Sequence, residues 1–325
     1  MAVVLVVMEC VYRAQGHLPS VTDDRTLWAH ERARLYPDEG VAIALLGASR
    51  LQLGIVPSEL AAALPGTLPV CLAVDGHSPF SLLEDLADDG AFDGVVVYCA
   101  TPASMVDREL EEWTDFYRDE YCSAGSLDDR LNLQVRLYLQ ERLVLAGFWS
   151  NVRRQLGYGF HMPLDHVVTS RDRSRLGYYH ERLSPAELER RRRGRLLAAG
   201  VAPPPPRFSP NRFGALILEE LRPPVEAIRG HGGQVVFLHM PMPGRHLEMA
   251  SYPRGSYWDR IGPLTGAPTI HFADYPELSV FQCPDGSHLD APDARQFSRE
   301  LARILKSVLA SGVGGGTGTL PRNDI

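Results

Sequence analysis

The chain has 325 residues, 45% apolar and 22% charged, with a formal net charge of -7. That balance suits a core-forming globular protein, and it speaks against nucleic acid as the main partner, because phosphate neutralisation needs a clustered excess of Lys and Arg. The five cysteines (Cys10, Cys71, Cys99, Cys122 and Cys283) are odd in number and widely spaced, with no CxxC pair, which speaks against a disulfide framework or a zinc site.

One large α/β domain with an insertion accommodates this length as well as two domains do. Residues 1–40 are a lead-in that opens on MAVVLVVM. The run is too short to span a bilayer, and no basic segment precedes it. Two readings stay open for it, a buried strand or the tail of a membrane anchor that begins upstream. Residues 41–47, VAIALLG, form an apolar run ending in Gly, the pattern of a central strand covered on both faces. Further strands are expected at 68–75, 93–99, 234–240 and 267–272, with a helix over about 79–89. Strands that alternate with helices predict a mostly parallel five-stranded sheet with helices on both faces. Cys71 and Cys99 fall within such runs and read as buried small hydrophobes.

Residues 105–155 read as helical. Positions 131–139 alternate with period two, which suits a strand. No Gly or Pro interrupts 126–146, however, and Ser126 with Asp129 resembles a capping box, so length favours helix. Residues 156–211 complete an insertion of about 105–211. Ser184, Pro185 and Glu187 mark a helix start before the run Arg190–Arg193. That run is either a contact for anionic glycan or lipid headgroups or, more simply, a solvated helix face. Pro203–Pro206 reads as a polyproline II spacer. A last helix starts near Asp290, with Ala294, Phe297, Leu301, Ile304 and Val308 on one face. Residues 311–325 read as a disordered tail.

Two segments carry chemistry. In LLGASRLQLGI, residues 45–55, a strand ends, Gly47 permits a tight turn, and Ser49 opens a helix. A hydroxyl then sits at the carboxyl end of a central strand, where open α/β sheets place ligands, beside helix-start N–H groups suited to a developing oxyanion. Taken alone, such a Ser is also an ordinary helix cap. In CPDGSHLDAPDARQFSREL, residues 283–301, Asp285 and His288 stand three apart just before the last helix. A serine hydroxyl needs a base to lose its proton. Imidazole suits that task, and a carboxylate would fix the ring's tautomer.

Ser49 early in the chain, followed by Asp285 and His288 before a C-terminal helix, resembles the pattern of the SGNH (GDSL-like) hydrolases. GAS is similar to that family's first block. DGSHLD is similar to its last block in the membrane-associated bacterial branch that acts on exopolysaccharides or the cell envelope. The phrases DDRTLWAHERARL and FLHMPMP resemble that branch too, so the likeness covers most of residues 20–310. It implies a flavodoxin-like three-layer α/β/α fold and a catalytic triad of Ser49, Asp285 and His288. It also implies oxyanion donors from the Ser49 and Gly76 backbone, Gly76 standing in AVDGHSPF where the family's second block has its Gly. The family's third block, GxND-like with an Asn donor, is replaced here by YCATPASM. Thr101 or an N–H near Ala103 is the expected substitute.

Around these, Arg50 is a candidate contact for an acidic sugar or carboxylate, with a sheet-edge salt bridge as the alternative. His77 is a candidate pocket residue or plain polar surface. Trp258 is a candidate sugar-stacking wall or a packed loop aromatic. His239 reads as a satisfied core histidine. His161, His166 and His180 lack ligand spacing, so no metal is expected, and no nucleotide-binding motif or other cofactor is indicated.

The resemblance implies a serine esterase or O-acyl (acetyl) transferase acting on a polysaccharide or cell-envelope ester. Its expected place is the periplasmic or envelope face, with membrane association through the N-terminus. Two other readings are carried forward: a non-catalytic glycan- or envelope-binding protein on the same scaffold, favoured by the missing Asn, and an intracellular lipid or thioester esterase.

Overall fold

In the computed structural model, five strands form a wholly parallel sheet: β1 (Val41–Leu46), β2 (Thr67–Cys71), β3 (Val95–Cys99), β6 (Gln234–His239) and β7 (Thr269–His271). The structure describes residues 2–105, 112–123, 127–148, 164–198, 209–242 and 252–312. The spatial order is β2-β1-β3-β6-β7. The chain turns one way from β1 to reach β2 and the other way to reach β3, so the switch point lies between β1 and β3.

Alternation along the strands divides the core into two layers. Ala42, Ala44 and Leu46 join Val96, Tyr98, Val235 and Phe237 under the helices Phe80–Asp88 and Arg222–Gly230. Ile43 and Leu45 join Val97, Val236 and Leu238 under Ser49–Gly54, Pro57–Ala63 and the long final helix Ala291–Gly312. The result is the three-layer α/β/α arrangement that the strand pattern predicts. Cys71 and Cys99 are buried, as expected, and burial pushes both thiols up to about 12.

Among the described residues, the stretch expected to be helical from 105 to 155 contains Glu112–Ser123, Leu127–Gln140 and Val144–Phe148. In the second of these, Leu133, Leu137 and Gln140 are buried while Leu131 and Val135 face outward, so the four-residue spacing of the inward side chains overrides the period-two alternation. The insertion also contains an antiparallel hairpin, β4 (Val167–Thr169) and β5 (Arg175–Gly177). Sequence reasoning did not anticipate it. Helix Pro185–Ala198 follows as expected, and its arginines pair with Glu187 and Glu189 one turn away, as a solvated helix face does. The Pro203–Pro206 spacer, Ser126, His161 and all but the first two residues of the 311–325 tail lie outside the described residues.

The N-terminal run is not a strand. Ala2–Ala14 is a helix that satisfies its own backbone and needs no partner edge. Tyr12 packs against Val144 and Leu145, and the Glu9 carboxylate accepts the N–H groups of Val144 (2.9 Å) and Leu145 (3.0 Å). Val3, Val4, Leu5, Val6 and Val7 are all solvent-exposed. No helix among the described residues is long and apolar enough to cross a membrane.

Candidate active site

β1 delivers Ser49. The strand ends at Leu46, and Gly47 lies where a Cβ would stand 2.9 Å from the Leu51 Cβ and 3.2 Å from the Cys99 Cβ. Only glycine fits that turn without displacing the neighbouring helix. Ser49 then opens the short helix Ser49–Gly54, with Ala48 as its cap residue, so the serine hydroxyl does not cap the helix. The N–H groups of Ser49 and Arg50 have no intrahelical acceptor, as expected for a first turn.

The loop before the last helix delivers the other two side chains. Gly286 N–H donates to the Cys283 carbonyl (3.0 Å), closing a turn through Pro284 and Asp285, and Gly286 itself adopts φ +88°. Asp285 Oδ1 accepts the N–H groups of Ser287 and His288, each at 2.8 Å. Asp285 Oδ2 lies 2.9 Å from His288 Nδ1, and His288 Nε2 lies 3.0 Å from Ser49 Oγ. The three residues, separated by 239 and 3 positions along the chain, therefore form one continuous hydrogen-bonded row. Asp285 is 1% exposed and His288 8%. Burial alone would push the Asp285 carboxyl up. The imidazole and the two backbone N–H groups outweigh burial and hold it at about 2.

An ionised Asp285 accepts hydrogen bonds and donates none. His288 Nδ1 must then carry the ring proton, which leaves Nε2 as the acceptor facing the Ser49 hydroxyl. The arrangement can take a proton from Ser49 as its oxygen attacks.

The remaining candidates separate. The loop after β2 is tied to the nucleophile loop by Val74 N–H donating to the Gly47 carbonyl (3.1 Å). Within it, His77 N–H donates to the Val74 carbonyl and Gly76 has φ +76°, which makes Asp75-Gly76 the centre of a type II turn that glycine accommodates. Gly76 is thus on the loop next to the nucleophile loop. His77 shares that turn, and its Nδ1 contacts the Asp75 carbonyl at 2.6 Å.

Thr101 does not present a spare donor. It starts the short helix Pro102–Met105, its N–H donates to Ser104 Oγ (2.9 Å), and its hydroxyl accepts the Ser104 N–H (3.3 Å). Trp258 is 2% exposed and packs edge-on against His239 (5.0 Å) and His271 (5.7 Å), so it offers no wall for a sugar. His239 is a satisfied core histidine. Its Nδ1 is 3.1 Å from the Met240 carbonyl, and burial, aided by His271, pushes it down to about 3. Among the described residues Arg50 forms no sheet-edge salt bridge. Its Nε is 3.5 Å from Ser287 Oγ and a terminal nitrogen is 3.8 Å from Met242 Sδ.

The structure adds residues that the sequence reading missed. Arg173, at the hairpin tip, has φ +62° and is 1% exposed. Its guanidinium donates to the Cys71 (2.8 Å) and Ala73 (3.0 Å) carbonyls at the end of β2, and to Asp23 (2.6 Å). Asp23 also accepts from Gln52 on the nucleophile helix. The insertion thereby braces both the Ser49 helix and the Gly76 loop. Asp290 stands just before the last helix, where its carbonyl accepts the Ala294 N–H (2.8 Å), and its carboxylate turns to the Tyr179 (2.6 Å) and His180 (3.3 Å) N–H groups. Arg192 donates to the Pro284 carbonyl (3.3 Å), so the arginine helix also touches the triad loop. No group of His, Cys, Asp and Glu among the described residues could hold a metal ion. No protein-family model matches the chain, and no curated protein matches it.

Proposed function

We propose that this protein is a serine-dependent ester hydrolase or O-acyltransferase that works through an acyl-enzyme on Ser49. The observation that carries the reading is the row Ser49 Oγ to His288 Nε2 (3.0 Å) and His288 Nδ1 to Asp285 Oδ2 (2.9 Å). In the first step His288 Nε2 takes the Ser49 proton while the serine oxygen bonds to the ester carbonyl carbon. Collapse of the tetrahedral intermediate breaks the bond to the leaving alcohol, which receives the proton from His288. Water or a sugar hydroxyl then attacks the acyl-serine and gives its proton to His288, which passes it to Ser49 Oγ as the acyl–serine bond breaks and the acid or a new ester is released. Ser49 N–H and Gly76 N–H are the oxyanion donors in this reading. With Thr101 engaged by Ser104, the site works without the family's third-block Asn, and one missing donor costs roughly 3 kcal/mol of transition-state stabilisation. The resemblance to the SGNH envelope branch makes an acetylated polysaccharide or cell-envelope ester the substrate class. The exposed run Val3–Val7 supports a place beside a membrane.

Turnover of p-nitrophenyl acetate tests the reading. Wild type should hydrolyse it, and Ser49→Ala and His288→Ala should each lose at least about 1,000-fold. Equal slow turnover by all three would favour the non-catalytic binding reading, which Thr101's commitment to helix capping also supports.

A further inference from the structure

Arg50 follows the nucleophile directly and is half-buried. Half-burying a guanidinium is costly unless its donors are answered, and several arginines among the described residues are answered by carboxylates. Arg136 meets Asp24, Arg175 meets Asp75, Arg191 meets Glu187, and Arg254 meets Asp259 and Asp274. The fully buried Arg32 and Arg173 meet Asp85, Asp89 and Asp23.

Arg50 has no carboxylate partner among the described residues. Its contacts are a hydroxyl at 3.5 Å and a thioether at 3.8 Å, both weak acceptors at long range for a group with five N–H donors. Ser287 donates its own N–H to Asp285, so the guanidinium rests against the loop that carries His288. On that loop Asp285 Oδ1 takes two N–H groups and Oδ2 takes the imidazole.

We propose that Arg50 is the anchor for an anionic group, a carboxylate or a phosphate, carried by the ester substrate beside the acyl group held at Ser49. The planar fork of the guanidinium matches either anion with two parallel hydrogen bonds. An anion fixed there orients the ester over the serine, so that charge on the carrier decides which esters are bound well. This inference rests on the esterase reading for the role of Ser49, but its test measures binding and not turnover.

Three ligands on one sugar skeleton are titrated calorimetrically into the full chain carrying Ser49→Ala, which keeps the ester intact: O-acetyl galacturonate, its methyl ester, and O-acetyl galactose 6-phosphate. The carboxylate or the phosphate form should bind at least about tenfold more tightly than the neutral methyl ester, and whichever is tighter identifies the anion. Adding Arg50→Gln should erase that preference, and adding Arg50→Lys should restore part of it, with thermal melts verifying that each variant is folded. Equal binding of charged and neutral forms, a preference that survives Arg50→Gln, or no binding of any of the three would overturn the proposal. Turnover of p-nitrophenyl acetate by the unsubstituted chain is scored separately. A chain that turns it over yet binds the three ligands alike loses the Arg50 inference and keeps the esterase reading.

Discussion

The Tyr179 ring lies parallel to the His288 imidazole, with 8° between their planes and 6.4 Å between their centres. Tyr179 comes from the insertion and is buried, its backbone N–H bound to Asp290 two residues beyond His288. His166 packs against the same ring at 5.6 Å. Gly177 makes room for it, since a Cβ there would meet the Tyr179 ring at 2.2 Å. The insertion thus supplies a wall that holds the imidazole in the plane needed to reach both Ser49 and Asp285.

Tyr179 is therefore a positioning residue. Tyr179→Ala should lower kcat for p-nitrophenyl acetate by about tenfold or more with little change in KM, because misplacing a base by a fraction of an ångström weakens proton transfer without removing a substrate contact. Tyr179→Phe keeps the ring and should restore the rate. Steady-state kinetics on the two variants decide it, and a purely structural role would lower stability while sparing kcat.

The brace between insertion and sheet makes a stability prediction. Arg173→Ala removes the cation beside Asp23 and leaves two strand-end carbonyls without their donor, and should cost about 3–5 kcal/mol, as breaking a buried ion pair does. Arg175→Ala, two residues on, removes a pair with Asp75 at 2.9 Å in which the carboxylate is 58% exposed. It should cost about 0–1 kcal/mol. Urea unfolding of both variants separates the two cases, and equal losses would count against the brace.

Asp285 makes the fold acid-sensitive. Its carboxyl is held at about 2 in the folded protein, against an ordinary value of about 3.9 in the unfolded chain. A lowered folded-state value stabilises above the unfolded value and is lost as pH falls through the folded one. Roughly 2 kcal/mol of stability should therefore disappear between about pH 4 and pH 2. Asp285→Asn should remove that share of the pH dependence when stability is followed through this window by denaturant melts.

Gly47 offers a test of how tightly the nucleophile turn is packed. Gly47→Ala should destabilise by about 1–3 kcal/mol, since the new methyl meets Leu51 and Cys99 side chains closer than real contacts allow. A melting temperature unchanged from wild type would show that the turn yields.

The sheet was legible in the sequence because its strands are covered on both faces and so read as short, mostly apolar runs. The pairing of Ser49 with Asp285 and His288 was legible through the likeness of GAS and DGSHLD to SGNH blocks, and Gly76 through that of AVDGHSPF, where the structure has a turn with positive φ. Other features left no local trace. An Arg at φ +62°, like Arg173, cannot be told from a surface arginine by its neighbours in the chain. The hairpin that carries it has strands of three residues each, too short for a period to show. For Trp258 the sequence left a sugar-stacking wall and a packed loop aromatic both open, because sequence position says little about which loop aromatic packs inward, and the structure shows the packed one. The N-terminal run has the composition of a strand, yet it forms a helix that satisfies its own hydrogen bonds.

The central claim is that Ser49 is a nucleophile activated by His288. Incubation with a fluorophosphonate probe followed by peptide mass spectrometry tests it most directly. The account predicts one phosphonylated peptide, the one containing Ser49, with labelling abolished by Ser49→Ala and strongly slowed by His288→Ala. An unlabelled protein, or a label on another residue that persists in Ser49→Ala, would contradict it.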